Sequence, residues 1–179
     1  MKTNRLSSES YEKGSSLCVV ETEENGRSTL KIELPQEGIL FQYSHKIHFI
    51  FKNKRRADGI LFTKSETGWD LFVVELKKTV KTKEWRKIKE QWHGAWLHAM
   101  ALSGVLEAPL SKKIRFVVAY QNERVVQESP DPVFLKMVGR KMPQEVLEWR
   151  KNKAELDELG EVSFEKIRLD ECGTGVFRP

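Results

Sequence analysis

The sequence predicts one domain of the α/β or α+β class, built on a largely mixed sheet. In the first half of the chain, apolar and polar residues alternate in short runs separated by turn residues. From residue 83 the apolar residues recur every three or four positions, as they do on one face of a helix. Residues 112–121 return to a strand pattern, and no repeat, low-complexity tract or composition break indicates a linker.

Length and composition favour a single domain over residues 1–179. With 32% charged and 39% hydrophobic residues the chain is typical of a soluble globular protein. No apolar run approaches the roughly 18 residues of a membrane span, and the polar start lacks the apolar core of a secretory signal. We therefore expect a cytoplasmic protein with no membrane partner. Cys18 and Cys172 have no disulfide or zinc spacing.

The elements of the first half follow from its turn signals. Residues 1–15 are polar and are expected to fray, after which Asn25-Gly26 predicts a hairpin. This β-rich segment, 16–45, precedes a core of about 46–121. The predicted strands are 16–23, 28–35, 39–43, 46–51, 56–62 and 69–78.

The second half begins with a long amphipathic helix. Thr82 is a plausible N-cap, and the apolar stripe comprises Trp85, Ile88, Trp92, Ala95, Trp96, Ala99 and Leu102. After the strand at 112–121, Pro130 and Pro132 mark a loop. The C-terminal part, 143–170, is predicted to hold a helix over 143–159 that Gly160 ends, then a short strand at 164–171 and a terminal tail.

Charged residues interrupt the most apolar strand of the chain, "WDLFVVELKK", at Glu75 and Lys77. A regular hairpin centred on the Glu66-Thr67 bond places Asp58 opposite Glu75. Facing side chains have Cβ atoms about 4.5 to 5.5 Å apart. Lys77 projects from the same side because strand side chains alternate. The three charged groups are therefore expected to converge.

Two facing carboxylates repel each other, so this arrangement needs positive charge to offset it. Lys77 supplies one charge, which leaves a net negative site of oxygen ligands that suits Mg²⁺, with Mn²⁺ as a substitute. Such an ion lowers the pKa of a bound water, and a lysine beside that water could orient it or share its proton. These parts suit phosphodiester hydrolysis.

The pattern "AD" at 57–58, a hairpin, "VVELK" at 73–77 and a helix with basic residues resembles the PD-(D/E)XK nuclease superfamily. The resemblance covers residues 57 to about 121. It implies a restriction-endonuclease-like mixed central sheet flanked by helices, here with extra N-terminal strands.

The resemblance also implies roles for individual residues. Asp58 and Glu75 would be Mg²⁺ ligands, with the backbone carbonyl of Leu76 as a further one. Lys77 would activate the attacking water, and Gln91 on the following helix would be an accessory residue.

The chain departs from the superfamily pattern at two places. Ala57 replaces the proline of the motif's name. Members often begin with a helix that bears an extra acidic residue, whereas strands are predicted here before residue 52. Glu9, Glu12 and Glu33 are left open as the residue that fills this role.

Two basic runs flank the acidic pair in a chain of net charge +5. The run 52–56 has four basic residues and no acid, and the run 77–89 has seven basic residues against only Glu84. Each run alone is typical of a solvated face, but together they would attract a polyanion. The residues predicted to contact phosphates are Lys54, Arg55, Arg56, Lys78, Lys81, Arg86 and Lys89.

The spacing and the sequence neighbours of the tryptophans and histidines indicate structural roles. The spacing of Trp85, Trp92 and Trp96 indicates core packing rather than a base-stacking platform. His93 and His98 lack the spacing of a helical metal pair, and His45 and His48 have no carboxylate motif beside them.

The predicted function is a Mg²⁺-dependent nuclease, with DNA favoured over RNA only through the resemblance. One alternative is a catalytically idle nucleic-acid-binding module or a subunit of a larger nucleic-acid-processing or defence complex. A second is an interaction protein in which the ion pair is structural. The sequence leaves open whether the protein forms a homodimer or joins a protein complex, and whether it is an endo- or exonuclease.

Overall fold

The structure, a computed structural model, describes residues 6–23, 26–43, 55–127 and 141–179. These residues form a mixed α+β architecture, as predicted. The elements in chain order are β1 (Leu6–Tyr11), β2 (Ser16–Glu23), β3 (Gly26–Glu33), β4 (Gly38–Tyr43), β5 (Gly59–Ser65), β6 (Gly68–Val80), α1 (Thr82–Val105), β7 (Leu110–Glu123), α2 (Gln144–Lys151), β8 (Lys153–Leu156), β9 (Gly160–Arg168) and β10 (Thr174–Phe177).

The strands form two sheets. The larger has seven strands in the order β1-β4-β5-β6-β7-β9-β8, and the smaller has three in the order β10-β3-β2. The larger sheet is mixed, because β6, β7 and β9 are parallel to one another while β1, β4, β5 and β8 pair antiparallel with their neighbours. The helix α1 connects β6 to its parallel neighbour β7, as a crossover of this kind requires.

The larger sheet is buried on both faces, so its central strands have near-continuous apolar sequences. One core lies under the helices, where Trp85 and Trp92 are fully buried with ring centroids 5.4 Å apart. The predicted packing role of these two tryptophans is therefore confirmed. The other core lies between the sheets and includes Val19, Leu30 and Val74.

The helix α1 follows β6 directly, with Lys81 rather than Thr82 at the N-cap position. Six of the seven residues of the predicted apolar stripe are buried, and the seventh, Trp96, is half-buried. None of the helices in the described ranges combines the length and the apolar character that crossing a bilayer would require.

Both chain ends were predicted wrongly. The strand β1 lies within the segment expected to fray, and it pairs with β4 at the edge of the larger sheet. An edge strand gains its backbone partners without burying both faces, so a polar sequence can form one. The expected C-terminal tail contains β10, which pairs in parallel with β3 and buries Phe177.

The predicted helix over 143–159 is wrong in its second half. The helix α2 ends at Lys151 because Asn152 adopts the left-handed conformation (φ 54°). Ala154 and Leu156 are then buried alternately along β8. Gly160, at φ 67°, begins β9 at the turn between the two strands, so the last predicted strand also starts earlier than expected.

Several predictions lie outside the described residues. They are the strand at 46–51, His45, His48, Lys54, and the loop with Pro130 and Pro132.

Candidate metal centre

The β5–β6 hairpin has the register that its sequence predicted. Gly59 pairs with Val74 and Ser65 with Gly68, so Asp58 follows the last pair on the side of Glu75. The Oδ2 atom of Asp58 accepts a hydrogen bond from the backbone N–H of Leu76 at 2.7 Å. This hydrogen bond replaces the backbone bond at the position where the strand pairing stops. It holds the Asp58 carboxylate beside Glu75.

Three carboxylates converge at this point. One oxygen each from Glu21, Asp58 and Glu75 lies within 4.8 Å of the other two. Glu21 comes from β2 in the smaller sheet, on the side of the strand that buries Val19 against the larger sheet. The sheets approach closely here, since a Cβ on Gly59 would lie 3.0 Å from a Val19 methyl carbon.

Lys77 lies among these carboxylates. Its Nζ is 2.6 Å from Oε1 of Glu75 and 3.0 Å from Oε1 of Glu21. The same ammonium donates to the backbone carbonyl of Leu76 at 2.9 Å. The cluster therefore holds three carboxylates and one ammonium, and its charge is unbalanced whenever all four groups are ionised.

Burial and like charge act together on Glu75, whose side chain has no exposed surface. Burial raises the pKa of Glu75 well above its usual value, and Asp58 raises it further against the opposing effect of Lys77. Burial alone would lower the pKa of Lys77, but the carboxylates of Glu75, Asp58 and Glu21 outweigh it and raise this pKa. Lys77 therefore stays an ammonium at neutral pH.

These residues fit a divalent cation. Among the described residues, neither buried carboxylate oxygen of Glu75 receives a hydrogen bond of normal geometry, although Lys77 lies close to one of them. Buried carboxylates usually have several donors, and oxygens without them are free to coordinate a hard ion such as Mg²⁺.

The acidic residue that joins the predicted pair is Glu21, and the three candidates from the sequence lie elsewhere. Glu9 accepts a hydrogen bond from the Tyr11 hydroxyl, Glu33 pairs with Arg178, and Glu12 is exposed. The sequence did contain a signal for Glu21. In "SLCVVETE" it has the same parity as the apolar Leu17 and Val19, so an acid was placed on the inward face of a strand.

Gln91 acts on the chain that leads to Asp58. Its Nε2 donates to the backbone carbonyl of Arg56 at 3.0 Å. One turn further along α1, Gly94 lets the helix pack directly on this segment, because a Cβ there would lie 2.2 Å from the carbonyl oxygen of Arg55. Gln91 thus holds the segment that precedes Asp58, while its accessory role in the site stays a prediction.

Two of the basic residues of α1, Arg86 and Lys89, are paired within the chain. Arg86 lies 2.6 Å from Glu145 and Lys89 lies 2.8 Å from Glu148, both on α2. Phosphate contacts by these two residues would compete with those ion pairs.

The other predicted phosphate contacts are placed as follows. Arg55 pairs with Glu90 at 3.1 Å, and the Arg56 guanidinium lies over the Tyr43 ring. Lys78 is exposed, and Lys81 is half-buried at the start of α1.

The described histidines stay apart from the carboxylate cluster. His98 is buried and its Nδ1 lies 3.0 Å from the Tyr43 hydroxyl, while His93 stacks on Trp96. The one group of potential ligands found among the described residues is Glu21, Asp58 and Glu75.

Comparisons with models of protein families, with curated proteins and with solved structures find no match.

Proposed function

We propose that this protein is a Mg²⁺-dependent nuclease that hydrolyses phosphodiester bonds, with DNA as its favoured substrate. The observation that carries the proposal is the convergence of Glu21, Asp58 and Glu75 around Lys77 at the point where a hairpin of the central sheet stops pairing. We assign the β5–β6–α1–β7 unit to a restriction-endonuclease-like core of the PD-(D/E)XK type.

The roles follow from the chemistry of each group. Asp58 and Glu75 would hold Mg²⁺ or Mn²⁺, with Glu21 as a third carboxylate and the Leu76 carbonyl beside them. When bound, such an ion polarises a phosphoryl oxygen and makes hydroxide available near neutral pH. The Lys77 ammonium would orient the attacking water and offset negative charge as it develops.

Preorganisation of the ligands supports this proposal. The Leu76 N–H fixes Asp58, and Gln91 fixes the backbone two residues before it. Carboxylates held in place before a cation binds lose little freedom on binding, which is what a catalytic centre requires.

One observation favours the rival in which the cluster is structural. The Lys77 ammonium already contacts Glu21, Glu75 and the Leu76 carbonyl, as a lysine closing an ion-pair network would. Such a network needs no divalent ion and gives no cleavage, so an activity assay separates the two functions.

The assay incubates plasmid, linear duplex, single-stranded DNA and RNA with the protein in Mg²⁺, Mn²⁺ or EDTA. We expect cleavage with either ion and none with EDTA. Asp58→Asn, Glu75→Gln and Lys77→Met should each lower the rate by about 100-fold or more. Glu37→Gln is the matched control, because Glu37 belongs to an exposed pair with Lys64 and should leave the rate unchanged.

The other outcomes each identify a rival. Cleavage that persists in EDTA, or in all three variants, would overturn the assigned site. Salt-sensitive binding of nucleic acid without cleavage indicates the idle binding module. Neither binding nor cleavage indicates the interaction protein.

A further inference from the structure

A cationic cleft lies beside the candidate metal centre on the same edge of the larger sheet. We define the cationic cleft by Arg124, Arg150, Lys166 and Arg168, which line a cavity of about 600 Å³. They come from the end of β7, from α2 and from β9. The carboxyl ends of parallel strands are a common place for binding sites in sheets of this kind.

Strand register connects the cleft to the metal centre. Lys77 on β6 pairs with Tyr120 on β7, and Tyr120 pairs with Arg168 on β9. Paired residues of parallel strands project from the same face, so the Cβ atoms of these three residues lie in one row across the sheet. At about 4.8 Å per strand, two steps separate the backbone of Lys77 from that of Arg168 by about 10 Å.

The charge of the cleft is not neutralised by the described residues around it. Four basic residues line it against one acid, Glu123, and Glu123 Oε1 already accepts the N–H of Val126 at 2.7 Å. Within the described ranges no carboxylate lies within ion-pair distance of Arg124, Arg150 or Arg168. The basic residues Arg86 and Lys89 on α1, by contrast, have partners on α2.

The cleft also has fixed walls. Lys166 donates to the Trp149 carbonyl at 2.7 Å and lies over the Trp149 ring, and that ring packs against Tyr120 at 5.4 Å. The three arginines are therefore arranged around a packed base, while their own side chains are exposed to solvent. Planar guanidinium groups bind phosphate oxygens through paired hydrogen bonds.

We propose that the cationic cleft is a phosphate-binding subsite, and that its occupant is the backbone of the same nucleic acid strand that reaches the metal centre. The identity of the polymer rests on the proposed nuclease function. The subsite itself rests on the unbalanced charge of the cleft and on its position in the Lys77–Tyr120–Arg168 row. One strand of nucleic acid could contact both places, because the backbones of Lys77 and Arg168 lie two strands, or about 10 Å, apart.

The test measures binding in EDTA, so that it does not depend on catalysis. Fluorescence anisotropy of a labelled oligonucleotide, single-stranded and duplex, is followed as a function of KCl. The triple variant Arg124→Gln, Arg150→Gln, Arg168→Gln should bind about 10- to 100-fold more weakly at low salt, and its salt slope should fall by about 2 to 3. Thermal unfolding confirms that each variant is folded.

A charge-matched variant supplies the control. Lys13→Gln, Lys64→Gln, Lys112→Gln removes the same charge from exposed positions outside the cleft, and it should bind with nearly wild-type affinity and slope. Equal weakening by both triple variants would mean that only net charge matters, which overturns the subsite. Inorganic phosphate and a mononucleotide are tested as competitors. If they bind at the cleft while the oligonucleotide is unaffected by the cleft variant, a small phosphate ligand replaces the polymer and the proposal is overturned.

The two proposals can fail separately. Cleft-dependent binding without cleavage on any substrate would support the subsite and reject the nuclease. Cleavage that the cleft variant leaves unchanged, together with unchanged binding, would support the nuclease and reject the subsite.

Discussion

Two buried glutamates, Glu75 and Glu148, differ in how far hydrogen bonds and opposite charge replace the water that each carboxylate loses. Each lies beside a lysine, Lys77 or Lys89, with side-chain exposures of 0% and 8% for the two glutamates. Burying a carboxylate is costly unless hydrogen bonds and opposite charge replace the water it loses. The number of hydrogen-bond donors around each glutamate therefore helps to distinguish a structural role from a functional one.

Glu148 is supplied with donors from every side. The Trp85 indole donates at 2.8 Å, the Lys89 ammonium at 3.0 Å and the Gln144 amide at 3.1 Å, and the backbone N–H of Glu155 is at 3.3 Å. These groups belong to α1, α2 and β8, so one carboxylate joins three elements. A fully satisfied buried group of this kind stabilises the packing of the helices on the sheet.

Glu75 is surrounded by like charge instead. Its closest charged neighbours are one ammonium and two further carboxylates, and its pKa is raised as a result of burial and of Asp58. A chain selected only for stability would not gather three acids around one base. The difference teaches that a buried charge indicates function when its surroundings leave it unbalanced, and structure when they satisfy it.

The largest expected effect is on stability at Glu148. Glu148→Gln should lower the free energy of unfolding by about 2 to 3 kcal/mol, because it leaves Lys89 and the Trp85 indole without their charged acceptor. Urea denaturation measures this loss. Glu145→Gln is the matched control on the same helix, and it should cost less than about 1 kcal/mol since its partner Arg86 is exposed. Equal losses in the two variants would remove the distinction drawn for Glu148.

The sequence predicted the features that depend on local geometry, namely the β5–β6 hairpin and the helix α1. The hairpin register, and with it the position of Asp58 beside Glu75, follows from a regular turn and a strict alternation of side chains. The long helix follows from its apolar period. In both cases the sequence pattern lies in the same segment as the structure that it predicts.

The rest depends on how distant segments pack. Glu21 joins the cluster only because the smaller sheet lies against the larger one, and no local pattern specifies that contact. The cationic cleft takes its four basic residues from separate places between positions 124 and 168, so no single basic run in the sequence specifies it. The ion pairs from α1 to α2 likewise could not be seen in the basic run that supplied their cations.

Cation binding should sharpen the comparison through a readout other than activity. Mg²⁺ or Mn²⁺ should raise the free energy of unfolding by about 2.7 kcal/mol at a concentration of 100 times Kd. In a chain of this size that corresponds to about 5 to 10 °C in the unfolding midpoint. The shift should disappear in the double variant Asp58→Asn, Glu75→Gln and persist in Glu148→Gln. A shift of the same size in the double variant would place the cation elsewhere.

The smallest expected effect is a change in the free energy of unfolding whose sign differs between the two glutamates. In EDTA at neutral pH, Glu75→Gln should leave the protein as stable as the wild type or more stable by about 1 kcal/mol, because burial and the neighbouring Asp58 carboxylate disfavour the ionised form of Glu75 that the substitution removes. The same substitution at Glu148 should destabilise, although the chemical change is identical. Urea denaturation of both variants under one set of conditions makes the comparison direct. If Glu75→Gln destabilises as much as Glu148→Gln, then Lys77 depends on Glu75 as a structural partner, and the surplus of acid no longer indicates a cation site. A gain in stability together with a loss of cleavage is the result expected of a residue kept for chemistry at a cost to folding.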